Sequence, residues 1–195
     1  MSDFSVRSAV APVDLVGSKI EVRKALLTAR RSRPESTLRN ADARLWRHLS
    51  DLVRVTRPSV VAAYEPFGTE PGAHLSGPLP RLLARHAAVR VLVPVLLADN
   101  DLDWRDWDDD DLLGEAEIAA ADLVIAPALA VDTTGVRLGR GGGSYDRALA
   151  RVAPDVPIVA LVHDGEFAHS LPAQPHDRRV TAVITPTAGM IRLPQ

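Results

Sequence analysis

Five short apolar runs recur along the chain, and within each run the apolar residues are continuous rather than alternating with polar ones. These runs cover residues 60–64, 89–97, 123–126, 158–162 and 180–184. A strand that is apolar at consecutive positions is buried on both faces, which is typical of a parallel sheet covered by helices. The pattern therefore predicts an α/β fold with a mostly parallel sheet.

Helices are predicted before and between these runs. Ser18 is a typical N-cap residue, and apolar residues follow it at roughly helical spacing from Ile20 to Leu27. Pro34 fits the first turn of a second helix that continues to about residue 55. Two further helices are predicted, over residues 75–86 and 144–152.

Length and composition indicate one domain with a sizeable core. The chain has 195 residues, of which 46% are hydrophobic. We expect a poorly ordered arm over residues 1–17 and a single domain over 18–195. The formal charge of −2 gives no general sign of nucleic acid or an anionic membrane as a partner.

The residue types that are missing exclude several chemistries. The chain contains no cysteine, which excludes disulfides, thiolate metal sites and a cysteine nucleophile. No apolar run approaches the roughly 20 residues of a membrane span, and acidic residues and a proline make the N-terminus a poor signal peptide. We therefore expect a monomeric cytoplasmic protein.

The densest chemical feature is the stretch from Arg137 to Arg147, with four glycines, three arginines and a Tyr-Asp pair. Glycines let backbone N–H groups approach a polyphosphate closely, and arginines supply planar donors. A helix that starts near Ser144 would offer the positive end of its dipole. Asp146 could then hold a magnesium ion. A glycine run alone is more often a simple turn, but the flanking residues favour a phosphate site.

Together with its flanks at 122–132 and Gly135, this stretch resembles the signature of the 5-formyltetrahydrofolate cyclo-ligases, also called methenyltetrahydrofolate synthetases. Further landmarks follow the family's order over about residues 19–186. They are Lys19 and Arg23, Arg30, Tyr64 with Glu70, Pro94, Leu171-Pro172, Pro175-His176-Asp177 and Val183-Ile184-Thr185. The resemblance implies a three-layer α/β/α sandwich that cyclises 5-formyltetrahydrofolate with ATP.

The resemblance also implies a role for each matching residue. Those expected to bind ATP are Lys19, Arg23, Arg137, Gly139, Arg140, Gly141, Gly142, Gly143 and Tyr145. Those expected to bind folate are Tyr64, Glu70, Gly141, Gly142, Gly143 and Ser144. Arg140 and Tyr145 are the expected catalytic residues, and Asp146 and Asp177 the expected magnesium ligands.

Each role has a simpler alternative. Lys19 and Arg23 are also what a solvated helix surface contains, and Glu70 could be an exposed loop carboxylate. Asp177 could cap a turn or pair with a neighbouring arginine. Tyr64 could serve packing alone.

The chain departs from the family pattern in two ways. Ser144 and Val131 stand where aromatic residues are common, which predicts a smaller stacking surface for the pterin or adenine. The segment 108–121 is shorter than the family's folate-enclosing loop, so either the folate site is more open or this sequence lacks residues of the natural protein. Trp104 and Trp107 could wall the folate or belong to the core.

Other candidate sites carry less weight. The acidic run 106–111 and the six histidines lack ligand-like spacing, so a solvated loop and hydrogen-bonding histidines are favoured over metal sites. Ser144 lacks the context of a nucleophile elbow. Two other functions stay open: a folate- or nucleotide-binding module without catalysis, and an ATP-dependent enzyme with a different substrate.

Overall fold

A computed structural model describes residues 11–173 and 178–194. Four α-helices lie in these ranges: α1 (Lys19–Arg31), α2 (Glu35–Thr56), α3 (Leu79–Ala87) and α4 (Ser144–Leu149). A short 3-10 helix covers Glu115–Ala120. The strands are β1 (Val60–Ala63), β2 (Arg90–Leu96), β3 (Leu102–Asp106), β4 (Leu123–Pro127), β5 (Ala130–Asp132), β6 (Arg137–Leu138), β7 (Ile158–Leu161), β8 (Phe167–Ala168), β9 (Ala182–Thr185) and β10 (Gly189–Arg192).

Seven strands form the central sheet in the order β10-β9-β7-β4-β1-β2-β3. The five inner strands run parallel, whereas β3 and β10 pair antiparallel at the two edges. The predicted α/β fold with a mostly parallel sheet is confirmed. No helix in the described ranges is long and apolar enough to cross a membrane.

The continuous apolar runs arise because each inner strand buries both faces. In β1, Val61 and Ala63 join a cluster with Leu49 of α2, while Ala62 joins a cluster with Leu149 of α4. Helices α2 and α3 cover one face of the sheet. Helix α4 and the 3-10 helix cover the other, which makes three layers.

A second, smaller sheet has the order β6-β5-β8, and α1 packs on it through Val22 and Leu26. Val13 extends this sheet by a parallel bridge to Ala168, where its N–H donates to Phe167 O at 2.9 Å. This pairing of Val13 lies within residues 1–17, which the sequence predicts as a poorly ordered arm, and it was not expected. Residues 1–10 lie outside the described ranges.

The helices begin directly after their N-cap residues, and some of their ends differ from the predicted ranges. Ser18 caps α1 as predicted, in a capping box with Glu21. Pro34 is the N-cap of α2 rather than a residue of its first turn. Helix α3 begins at Leu79 instead of residue 75 because Pro78, preceded by Gly77, is its N-cap. Helix α4 ends at Leu149, three residues early.

Candidate active site

A cleft of about 640 Å³ opens where the inner strands end. Its walls include residues that follow β1 and β4, in accord with the rule that open α/β sheets bind ligands outside the carboxyl ends of their strands. The cleft is lined by every described residue that is predicted to bind a ligand: Lys19, Arg23, Tyr64, Glu70, Arg137, Gly139, Arg140, Gly141, Gly142, Gly143, Ser144, Tyr145 and Asp146. Arg30 and Pro94 line it as well. The remaining predicted ligand, Asp177, lies outside the described residues.

The glycine loop between β6 and α4 takes a backbone path that few other residues permit. Gly141, Gly142 and Gly143 have φ values of 108°, 93° and 73°. A Cβ on Gly141 or Gly143 would meet nothing within 4 Å, so it is the backbone conformation that calls for glycine there. Helix α1 holds the start of the loop, because Arg23 Nε donates to Gly139 O at 2.9 Å.

Arg137, Tyr145 and Asp146 form one group at the base of this loop. Arg137 Nη2 donates to Asp146 Oδ1 at 2.7 Å, and its guanidinium carbon lies 5.7 Å from the centre of the Tyr145 ring. Arg137 Nε and Tyr145 Oη are both buried, and neither has a hydrogen-bond partner among the described residues. Burial raises the pKa of Tyr145 above its usual range, so its hydroxyl keeps its proton and is a donor.

Arg140 extends across the cleft to the loop that follows β1. Its Nε donates to Glu70 Oε1 at 2.7 Å, and its guanidinium carbon lies 4.6 Å from the centre of the Phe67 ring. The Glu70 side chain is 7% exposed and that of Arg140 is 41% exposed. The contact joins residues 70 positions apart, so the glycine loop and Glu70, which is predicted to bind folate, meet directly.

Two buried groups fix the loop that carries Glu70. Asp42 of α2 accepts hydrogen bonds from the N–H of Gly72 at 2.8 Å and of His74 at 2.7 Å. His163 Nε2 lies 3.1 Å from Thr69 O, and burial lowers the pKa of this histidine. His163 is therefore a neutral donor to the Thr69 carbonyl at physiological pH.

Tyr64 lines the cleft but also supports this loop, as its hydroxyl donates to Pro71 O at 2.5 Å. Its side chain is buried, with 3% exposed. Burial and the nearby Glu70 raise the pKa of Tyr64 well above its usual range. The hydroxyl is already committed to the backbone, which makes packing its main role.

Arg30 lies at the floor of the cleft and pairs with Glu166. Its Nε and Nη2 donate to both carboxylate oxygens at 2.9 and 2.8 Å, and Nη2 also donates to Ala128 O at 2.7 Å. Glu166 Oε2 accepts the N–H of His163 at 2.7 Å as well. The pair therefore ties α1 to the carboxyl ends of β4 and β7.

Ser144 lines the cleft, but the other positions at which the chain departs from the family pattern do not. Val131 is fully buried in β5, so its size does not alter the cleft surface. None of residues 108–121 lines the cleft. Trp104 is fully buried in the core, and Trp107 packs against the core cluster on the α2 side. The role of the tryptophans is thus packing.

The acidic run 106–111 is held as a loop by arginines. Asp106 accepts from Arg90 at 2.7 Å, and Arg105 Nη1 donates to the carbonyls of Asp106, Trp107 and Asp109. Within residues 11–173 and 178–194, no group of three or more His, Asp or Glu residues is placed to hold a metal ion.

Sequence reasoning missed Phe67 and Leu96, which line the cleft and are 61% and 65% exposed. A sequence signal exists for Phe67, because it stands between Pro66 and Gly68 in a turn where no core position is expected. For Leu96 there is no such signal, since it lies within the apolar run 89–97, where a buried position is expected.

Comparison with known proteins is consistent with this geometry. Residues 16–186 match the model of the 5-formyltetrahydrofolate cyclo-ligase family. The 5-formyltetrahydrofolate cyclo-ligase of Mycolicibacterium smegmatis is 38% identical over 197 residues, covering 90% of this chain and 97% of that protein. The enzyme of the same name from Escherichia coli K12 is 37% identical over 71 residues, 36% of this chain and 39% of that protein.

Two solved structures share the fold. A 5,10-methenyltetrahydrofolate synthetase from Mycoplasma pneumoniae superposes with a TM-score of 0.74 at 18% identity, covering 86% of this chain and 98% of that one. The synthetase from Aquifex aeolicus gives 0.72 at 22% identity, covering 91% and 93%. With the family match over residues 16–186, we conclude that the chain belongs to the 5-formyltetrahydrofolate cyclo-ligase family.

Proposed function

We propose that the chain catalyses the ATP-dependent cyclisation of 5-formyltetrahydrofolate to 5,10-methenyltetrahydrofolate. The oxygen of the formyl group that N5 carries is amide-like and a poor leaving group. It attacks the γ-phosphorus of ATP, and the bond to ADP breaks. N10 then attacks the activated formyl carbon, its proton passes to the departing phosphate, and the formyl oxygen leaves with the phosphoryl group as inorganic phosphate.

The cleft supplies charge and orientation for such a transfer, and no side chain is required as a nucleophile. Arg137 Nε and the Tyr145 hydroxyl are buried donors in the cleft wall whose hydrogen-bonding capacity a phosphate would satisfy. Because burial raises the pKa of Tyr145, it acts as a donor to the phosphoryl group rather than as a base. Arg140 and the backbone N–H groups of Gly141–143 complete the set, with Lys19 and Arg23 adding positive charge from α1.

The described residues also fit a magnesium ion bound together with the phosphates. Asp146 lines the cleft, and Arg137 hydrogen-bonds to its Oδ1 alone, which leaves the other carboxylate oxygen for a cation. Magnesium binds through one or two carboxylates plus phosphate oxygens, so a large protein ligand set is not required. When bound, it would neutralise charge on the phosphates. Asp177 remains a proposed second ligand.

Glu70 is proposed to recognise the pterin. Its carboxylate is held in the cleft by Arg140 and by the N–H of Phe67 at 3.2 Å, and it keeps lone pairs for ring N–H donors. Tyr64 would support it from below, and Ser144 would contact the substrate without a stacking surface.

One observation carries the proposal. Segments that lie far apart in the sequence, namely α1, the loop after β1 and the stretch 137–146, bring their predicted ligand residues to one cleft. A surface role for Lys19, Arg23 or Glu70 would not require this convergence.

The test is an assay of purified protein with 5-formyltetrahydrofolate and MgATP, followed by the absorbance of methenyltetrahydrofolate. We expect product only with ATP, and one ADP and one phosphate for each product formed. Omitting ATP or replacing it with a non-hydrolysable analogue is the control. Folded protein that binds both substrates but forms no product would contradict the proposal and favour a binding module.

A further inference from the structure

Phe67 is an exposed aromatic ring in the wall of the cleft. It belongs to the loop after β1, lines the cleft and is 61% exposed. Large apolar side chains exposed at a binding cleft commonly mark a ligand contact. Its position therefore calls for a partner other than the protein core.

The backbone that carries the ring is held in place by the loop. The N–H of Glu70 donates to Phe67 O at 3.1 Å, and the N–H of Phe67 donates to Glu70 Oε2 at 3.2 Å. Asp42 secures the following residues of the loop at Gly72. The guanidinium carbon of Arg140 lies 4.6 Å from the centre of the ring. A loop that is already ordered at the cleft loses little entropy when a ligand stacks on its aromatic ring.

The other aromatic residues of the cleft do not offer such a surface. Tyr64 is 3% exposed, and its hydroxyl is bound to Pro71 O. Tyr145 has a buried hydroxyl and lies beside Arg137 at the phosphate end. Ser144, at the position where an aromatic is common in the family, has no ring. Among the described lining residues, Phe67 is the aromatic side chain with most of its surface available.

Glu70 determines which ring would lie there. It stands three residues after Phe67 and presents a carboxylate edge in the same turn. A ligand that meets both needs a flat face and adjacent N–H donors along one edge. On the basis of the proposed function, we propose that Phe67 stacks on the pyrimidine half of the pterin ring and sets folate affinity in place of the aromatic missing at Ser144.

The experiment compares Phe67→Leu, which keeps apolar volume but removes the ring, with Phe67→Tyr, which keeps the ring. Val55→Ala is the matched control, because Val55 is 57% exposed on α2 and does not line the cleft. Calorimetry measures the Kd for 5-formyltetrahydrofolate, and steady-state kinetics measures KM for folate and for ATP.

For Phe67→Leu we expect a Kd and a KM for folate about tenfold higher, as for the loss of one stacking contact, with the KM for ATP within about twofold. Phe67→Tyr and Val55→Ala should resemble the wild type. An unchanged folate Kd in Phe67→Leu would overturn the inference. An equal rise in the KM for ATP would do the same, because it would show that the ring merely positions Arg140.

Competition by fragments distinguishes the two rings of folate. Phe67→Leu should weaken inhibition by tetrahydropterin and leave inhibition by p-aminobenzoylglutamate unchanged, and the reverse would overturn the assignment to the pterin. The proposed function can fail separately, since binding is measured without turnover. If the wild-type protein binds folate but forms no product, the proposed reaction is refuted. The folate Kd of Phe67→Leu then still tests the stacking role of Phe67. Wild-type protein that binds no folate refutes both.

Discussion

Two arginine–carboxylate pairs border the same cleft and differ mainly in their exposure. The Arg30 and Glu166 side chains are 1% and 2% exposed, and two hydrogen bonds join them. Arg140 is 41% exposed, and a single hydrogen bond from Nε joins it to Glu70. The chemistry of the two pairs is the same, but of the two arginines that line the cleft it is Arg140 that keeps a large part of its side chain exposed.

The difference separates a buried pair from one that stays partly open to water. Arg30 and Glu166 are desolvated and satisfy each other, with Ala128 O and the N–H of His163 as further partners. Breaking such a pair leaves a buried charge. Arg140 loses little if its partner changes, because water reaches it. The cleft thus combines a buried ion pair with a partly exposed arginine.

The strongest test of the comparison is Arg30→Met. It removes the cation that makes two hydrogen bonds to the buried Glu166 and leaves Arg33 Nη2, 3.8 Å from Glu166 Oε1, as the nearby cation, so we expect the free energy of unfolding to fall by about 3 kcal/mol. Urea denaturation followed by circular dichroism measures the change. A loss below about 1 kcal/mol would mean that the buried pair does not hold the floor of the cleft.

A third pair, Arg151–Asp101, sharpens the comparison through pH. Hydrogen bonds from Arg151 hold the pKa of Asp101 at about 2, below its usual 3.8. Since the folded pKa is the lower one, the pair stabilises the fold fully above about pH 4 and loses this contribution as the pH falls toward 2. Asp101→Asn should cost about 1–2 kcal/mol at neutral pH.

Denaturation between pH 2 and pH 6 tests this expectation. The unfolding free energy of Asp101→Asn should vary less between pH 4 and pH 2 than that of the wild type. Parallel curves for the two proteins would show that Asp101 does not contribute to the acid sensitivity.

Arg140→Met should affect activity more than stability. If one charge-assisted contact worth about 1.4 kcal/mol in the transition state is lost, turnover at saturating folate falls about tenfold or more. The free energy of unfolding should fall by about 1–2 kcal/mol, less than for Arg30→Met, because Glu70 is 7% exposed but keeps the hydrogen bond from the Phe67 N–H. Arg147→Met is the control: Arg147 lies in α4, outside the cleft lining, and donates to Asp99 O. Equal kinetics for both variants would remove Arg140 from the mechanism.

The smallest effect is expected for a pair that is exposed on both sides. Glu35 and Arg39 of α2 are 66% and 58% exposed, and Arg39 Nη1 donates to Glu35 Oε1 at 2.7 Å. Arg39→Met should change the free energy of unfolding by at most about 0.5 kcal/mol, and added salt should reduce this further. A cost as large as that of Arg30→Met would refute exposure as the property that separates the pairs.

Much of the fold could be predicted from local patterns. The five apolar runs correspond to β1, β2, β4, β7 and β9 because strands buried on both faces need apolar residues at consecutive positions. The strands β5, β6 and β8 were missed, since two or three residues are too few for a periodic signal. Strand β10 was missed because it lies at the sheet edge and buries too few residues to give a continuous apolar run. The pairing of Val13 with Ala168 was not predicted, because the two residues lie far apart along the chain.

The candidate site was predicted in part. The glycine loop and its arginines were identified from residue type and spacing, and they line the cleft. Phe67 was missed because the turn between Pro66 and Gly68 indicates an exposed position but not that the turn borders the cleft. The support that Asp42 and His163 give to the Glu70 loop was also missed, because each contact joins residues 30 or more positions apart.

The sequence by itself determined the inner strands, the cap of α1 at Ser18 and the backbone path open to Gly141–143, because these depend on neighbouring residues and on the period of burial. Only the tertiary structure decided what each charge does. Arg30 and Arg140 are the same residue type, and both stand at positions that match the family pattern. One becomes a buried structural group and the other a donor facing the cleft, since burial and partners are set by residues 136 and 70 positions away.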